Sequence, residues 1–195
     1  MVMKKSVVLV MFFALLLGVV GGPAFGAGSV MEKDTVIIGT SGSYPPFEFH
    51  DKTGSLVGFD IDLANEVVAR LGKKAEWVDM AFDGVIPSLL TGKIDMIAAC
   101  LSITEERSKK VAFSTPYMVS LSAFVLNKDS GEMATLEDLK GKTVAVQLGT
   151  TQDVYISEVE GVTVKQFPKL NDAVREVTLK RADASLMDET VAETY

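Results

Sequence analysis

The chain has 195 residues, 48% of them apolar, and 26 acidic side chains against 19 basic ones, a net charge of −7. With no basic stripe to neutralise phosphates, that acidity excludes nucleic acid as a partner. One cysteine and one histidine rule out an internal disulfide and leave His-based metal sites and Ser-His-Asp triads short of parts, so neither a metal nor a cofactor is expected.

Lys4 and Lys5 precede an unbroken apolar run from Val7 to Leu17, and the small residues Gly21, Gly22, Ala24, Gly26 and Ala27 follow. This is the pattern of a secretory signal peptide over residues 1–27, cleaved near Gly26 or Ala27. The run is short for a membrane span. Removing the leader takes two lysines and leaves 17 cations against 26 acids, a net −9. Cys100, the one cysteine, stands far from the leader's exit, so no lipid anchor is expected and the product should be exported free of one.

From Asp34 onwards short apolar runs alternate with amphipathic stretches. Thr35 to Gly39 reads as a buried strand. In Gly58 to Leu71, the residues Ile61, Leu63, Ala64, Val67, Val68 and Leu71 share one helical face, Asp60 or Asp62 can cap the start, and Gly72 stops it. Lys74 to Val78 suits a strand. Phe82, Val85, Ile86, Leu89 and Leu90 form a second helical face. Ile94 to Cys100, nearly all apolar, predicts a strand buried on both sides of a parallel sheet. A short helix follows near Thr104. Phe113 to Leu126 is extended and apolar, a crossover between two halves.

The second half repeats the order. Thr135 caps a short helix over Leu136 to Leu139. Strands are predicted at Thr143 to Leu148, Val162 to Phe167 and Ala184 to Met187. Helices are predicted from Gln152 and over Leu170 to Arg181. Strand–helix–strand order with short connections predicts mostly parallel sheets joined by right-handed crossovers. The fold class is therefore α/β, with two lobes: 28–118, a crossover at 119–127, and 128–195.

Three segments and one acid look unlike scaffold. Ser41 to Phe49 follows the first strand, where open parallel sheets bind ligands; Pro45 and Pro46 stiffen it, and Tyr44 can offer a ring face. Phe47 and Phe49 read as core. Ala99 to Arg107 leaves a strand and opens a helix, whose free N–H groups attract anions. Arg107 sits at the wrong end of that helix for a cation, so it either completes a carboxylate site or pairs with Glu105 or Glu106. Gln147 to Gln152 is a second strand–turn–helix, without the lysine of a phosphate loop. Asp188, at the end of the last strand, can hold an ammonium or cap the helix after it. His50 reads as a solvated loop residue and Cys100 as a packing residue.

Taken together, Tyr44-Pro45-Pro46-Phe47, Gly58-Phe59-Asp60-Ile61-Asp62-Leu63, Phe82-Asp83-Gly84-Val85-Ile86-Pro87, Leu101-Ser102-Ile103-Thr104 with Glu106-Arg107, Phe113-Ser114, Gly149-Thr150-Thr151 and Asp188 resemble the periplasmic amino-acid-binding proteins of ABC transporters, extracellular solute-binding family 3. The resemblance implies a type II-like, two-lobed periplasmic-binding-protein fold and a monomer that hands a free amino acid to an ABC permease, with no catalysis. It implies that Tyr44 and Phe82 flank the ligand side chain. Arg107 would clamp its carboxylate with the backbone of Ser102 and Thr151. Asp188 would hold its ammonium with the segment at Cys100. Ser41 stands where members that take basic amino acids often carry an acid, which points to a neutral or small polar ligand. The family normally continues past Tyr195, so the resemblance also implies a fragment or truncated gene product, with the second lobe and the return to the first incomplete. Two other classes compete: a dehydratase of the same fold, for which Glu48 is the nearest general acid, and the ligand-sensing domain of a receptor.

Overall fold

A computed structural model describes residues 30–131, 133 and 135–195; the expected signal peptide lies outside the described residues. Three sheets organise the described residues. In the first, β1 (Thr35–Thr40) runs parallel between β5 (Lys74–Asp79) and β6 (Met96–Ile97). A small antiparallel meander joins β2 (Ser43–Tyr44), β3 (Glu48–His50) and β4 (Leu56–Val57). The last sheet has the order β7-β10-β8-β9, from β7 (Ser122–Leu126), β8 (Thr143–Gln147), β9 (Thr163–Phe167) and β10 (Ala184–Asp188). There β8 lies parallel to both β9 and β10, while β7 pairs antiparallel with β10.

Helices α1 (Phe59–Arg70) and α2 (Val85–Leu90) accompany the first sheet, and α4 (Thr151–Ser157) and α5 (Leu170–Thr178) the last. The one-turn helices α3 (Glu105–Ser108) and α6 (Glu189–Ala192) each follow a chain turn near the strand ends. Besides one at Val30–Glu32, two single turns of tighter 3-10 helix occur among the described residues, Phe82–Gly84 and Leu136–Leu139. The last is closed by a capping box in which Thr135 and Asp138 exchange bonds, as the sequence predicts for Thr135.

Apolar spacing explains most of the packing. On α5, Leu170, Ala173, Val174 and Val177 fall on one face and are all buried, each large one contributing about 1.5–3 kcal/mol relative to exposure. Val144, Val146, Ile156, Ala184 and Leu186 fill the opposite side of the last sheet. Under the first sheet, Val36 and Ile38 meet Ala64 and Val68 of α1. The α1 face is wider than its cover: Leu63, Val67 and Leu71, predicted to belong to it, stay 36–47% exposed.

Two expectations fail here, the strand over Ile94 to Cys100 and the cap of α1. The strand predicted over Ile94 to Cys100 shrinks to Met96–Ile97, half-buried and paired to β1 on one side. Ile94 is consumed in filling the space above Gly39, where an added Cβ would stand 2.4 Å from its Cδ1. Cys100 then takes a left-handed backbone, φ 45°, which ends the extension. Neither Asp60 nor Asp62 caps α1: Gly58 is its N-cap and no side chain closes it. Gly58 is required there, because its φ is 130° and a Cβ would lie 2.3 Å from the Phe47 carbonyl oxygen. Of the extended stretch predicted from Phe113, only Ser122–Leu126 pairs as a strand.

Candidate functional site

The first and last sheets face each other with their strand ends turned towards one narrow pocket. It is lined by Tyr44, Glu48, Phe82, Ala99, Cys100, Ser102 and Arg107 from one side, and by Gln147, Thr150, Thr151, Gln152 and Asp188 from the other. All seven residues singled out in the sequence (Tyr44, Phe82, Cys100, Ser102, Arg107, Thr151 and Asp188) therefore share one cavity. Six of them arrive by the same local logic, in which a strand ends, the chain turns, and a helix or 3-10 turn begins; Tyr44 instead ends β2, just before the turn into β3.

Arg107 resolves its two readings in favour of the cleft. Glu105 pairs with Lys109 and Glu106 with Lys110, four residues on. The guanidinium instead donates to the Ser102 carbonyl at 2.8 Å and to the Gly149 carbonyl at 2.9 Å, and its carbon lies 5.6 Å from the centre of the Phe82 ring. Among the described residues no carboxylate stands within salt-bridge distance of it. Burial lowers its pKa, and Glu106 works the other way. The helix behind it matters less than expected. With four residues α3 has little dipole, and Thr104 already accepts the Arg107 N–H at 3.2 Å.

Opposite stands Asp188. It occupies the N-cap position of α6 but makes no side-chain cap. Its Oδ2 accepts from the Tyr44 hydroxyl at 2.8 Å and its Oδ1 from Gln152 Nε2 at 3.0 Å, while its N–H donates to the Tyr44 oxygen at 3.1 Å. Burial first, then the charge of Asp188, pushes the Tyr44 hydroxyl far above the usual phenol range, so it remains a donor. Tyr44 was expected to be free of the core. It is 7% exposed and packs with Phe47, Leu170, Ala173 and Met187, so it serves core and pocket together.

Further bonds join the two sides. Gln147 Nε2 donates to Ser41 Oγ at 3.1 Å. The Leu170 N–H, an orphan donor at the start of α5, finds Ser43 Oγ at 3.1 Å. Lys169 pairs with Asp79, which also accepts from Gly42 N–H and faces His50 Nε2 at 3.0 Å. His50 is thus held by Asp79 and the Gly54 carbonyl rather than simply solvated. Gly149, φ 79°, passes so close to Asp83 that a Cβ would meet that side chain at 3.2 Å.

Glu48 is the residue whose importance the sequence understates. It is 1% exposed, it lines the pocket, and its Oε2 has no hydrogen-bond partner. Burial chiefly, then Asp60 and Asp188, raises its pKa well above the carboxylate range. Its place after Phe47 gives no local sign of this, since alternation along a strand would turn the residue after a buried aromatic outwards. Gln147 and Gln152 were also missed as pocket residues; both lie at strand–helix turns where a side chain reaches the cleft.

A family profile, bacterial extracellular solute-binding proteins, family 3, matches residues 36–195. The lysine/arginine/ornithine-binding periplasmic protein of Escherichia coli (strain K12) is 39% identical over 194 residues, which cover 97% of this chain and 72% of that one. A probable histidine-binding protein of Campylobacter jejuni is 37% identical over 161 residues, covering 83% of this chain and 62% of its relative. Among solved structures, the arginine-bound form of a truncated ArgBP from T. maritima superposes with a TM-score of 0.82 at 49% identity, over 85% of this chain and 78% of that one.

Proposed function

The chain belongs to the bacterial extracellular solute-binding proteins of family 3, and from that membership we propose that it captures a free amino acid outside the cytoplasm and delivers it, as a monomer, to the permease of an ABC importer. In this reading residues 28–118 and 128–195 are the two lobes and 119–127 the hinge. The observation that carries it is the pairing of opposite charges in one pocket: an Arg107 guanidinium with no carboxylate partner among the described residues, and the Asp188 carboxylate across from it. Those are the complements of an α-carboxylate and an α-ammonium. Arg107 clamps the first with the backbone of Ser102 and Thr151; Asp188 holds the second with the segment at Cys100. Tyr44 and Phe82 border the side chain.

Glu48 supports a cationic side chain. Once Arg107 and Asp188 are matched by the zwitterion, a buried, unpartnered carboxyl is left over, and burying it is costly unless a cation or donor meets it. The relatives named for arginine, lysine or histidine support the same choice. Ser41, with its neutral bond to Gln147, supports the alternative, a neutral or small polar amino acid. The relatives are binding proteins by name, which supports binding without turnover over the dehydratase reading. A thermal-shift screen of the twenty amino acids separates these ideas, since a ligand bound only by the native state raises its melting point. The expected result is a shift with arginine or lysine. No shift with any amino acid, or release of product from prephenate or arogenate, overturns the proposal.

A further inference from the structure

Asp60 is the second residue of α1, where a carboxylate usually serves the helix start. Its own N–H is already satisfied by the Phe47 carbonyl at 2.9 Å, and its side chain turns elsewhere. Oδ2 accepts from the Cys100 N–H at 2.7 Å, and both oxygens accept from the Tyr117 hydroxyl, at 2.9 and 2.8 Å. The residue is 1% exposed. Phe59 and Tyr117 stack alongside, their ring centres 5.7 Å apart. Asp60 does not line the ligand pocket; it stands behind Ala99 and Cys100, which do.

Cys100 has a left-handed backbone, a conformation that a residue with a Cβ resists. Something outside the turn must hold it there, and the bond to Asp60 does. In a trans peptide the Ala99 carbonyl then points away from α1, opposite to the Cys100 N–H. We infer that Asp60 is a positioning residue for the proposed ligand site: its carboxylate fixes the turn at Cys100, and through Tyr117 it ties that turn to the segment crossing between the two sheets. This inference rests on the amino-acid-binding reading, since it assigns Asp60 a role in presenting the ammonium side of that site.

The test uses the chain's single cysteine. Labelling with [15N]cysteine gives one amide resonance, that of residue 100. In the unmutated chain its hydrogen exchange should be strongly slowed, and the peak should move as pH falls and the carboxylate protonates. Asp60→Asn, which keeps one weaker acceptor, should speed that exchange by about tenfold or more, the loss expected for one charge-assisted bond. Affinity is read by calorimetry with L-arginine, L-lysine, L-histidine and L-glutamine. Asp60→Asn should weaken the bound one by about tenfold, but by about threefold or less in a Cys100→Gly background, where glycine takes the left-handed backbone unaided. Unchanged exchange and a peak that does not titrate overturn the inference, as does an equal affinity loss in both backgrounds. If none of the four amino acids binds the unmutated chain, the amino-acid reading fails instead, and the exchange measurement still decides what Asp60 holds. Should Asp60→Asn not fold, Asp60→Glu, which moves the carboxylate by one methylene, takes its place in the exchange measurement with the same outcomes, because Glu48 and Asp188 also act on Cys100 and could move the unmutated peak.

Discussion

The Tyr44 hydroxyl and Asp188 grip each other twice across the cleft, the hydroxyl donating to Oδ2 at 2.8 Å and accepting from the Asp188 N–H at 3.1 Å. The proposed ammonium site is thereby also a fastening between the two halves. Tyr44→Phe keeps the ring in its apolar cluster and removes both bonds. Bonds to a charged group are worth about 1.5–3 kcal/mol, so calorimetric affinity for the bound amino acid should fall by about tenfold or more. Because both bonds exist without ligand, the melting point should also fall, by about 3–12 °C, while the ring keeps its packing. A purely packing role for Tyr44 would leave the affinity untouched.

Arg107 sets a second expectation. Truncating one member of a buried charge pair costs about 2–5 kcal/mol, so Arg107→Ala should weaken binding by about 30-fold or more. Arg107→Lys keeps the charge but cannot reach the Ser102 and Gly149 carbonyls and a ligand carboxylate at once, and should recover only part of the loss. Equal affinities for the parent and Arg107→Ala would remove this residue from the site.

Glu48 should make stability and affinity run in opposite directions with pH. Its folded pKa is raised, so the native state binds a proton that the unfolded chain has released. Ligand-free stability should therefore fall as pH climbs from the ordinary glutamate range towards the raised value, and level off above it. Over the same window, affinity for arginine should rise, because the ionised form meets the cation. Glu48→Gln should flatten both profiles, which melting curves and titrations at several pH values can follow. Arginine affinity that ignores pH in the parent would speak for a neutral ligand.

At the rim of the cleft, Asp79 gathers Lys169, the Gly42 N–H and His50. Burial works to raise the Asp79 pKa, but these partners together hold it low. The His50 pKa is raised, first by its bond to Asp79 and then by the Gly54 carbonyl. A raised histidine contributes stability that is complete below its unfolded value, about 6.5, and is lost as pH rises through the folded one. His50→Gln should erase that slope in melting point. Lys169→Met should weaken ligand affinity by about two- to fivefold, the range for a partly exposed ion pair, and added salt should reproduce much of the loss in the parent.

Periodicity made the frame legible. The α5 face, Leu170 to Val177, and the β8 run, Thr143 to Gln147, lie where their spacing puts them, because each buries apolar side chains against a partner within the same half. What failed depended on contacts between distant segments. Ile94 to Cys100 has the composition of a central strand, but Gly39 and Asp60, roughly 40 to 60 residues away in sequence, decide where it bends. The meander of β2, β3 and β4 went unseen because its strands have two or three residues each, too few for alternation to register. At the site, motif order located Arg107, Asp188 and Tyr44. Glu48 was discounted because nothing local shows that its carboxyl is enclosed.

The register of the last sheet has one more result. Asp188 pairs with Ser122, the first residue of β7, and the next N–H, that of Glu189, donates to the Leu121 carbonyl at 2.8 Å. The strand that enters from the crossover is thus laced directly to the acid at the pocket. In the proposed hinge motion, a swing of that crossover would work like a cam on Asp188, shifting the carboxylate as it moved the halves. On that reading, sequence changes between Thr115 and Leu121, although they add no contact to a ligand, would retune grip and hinge together, and neither would drift far without the other.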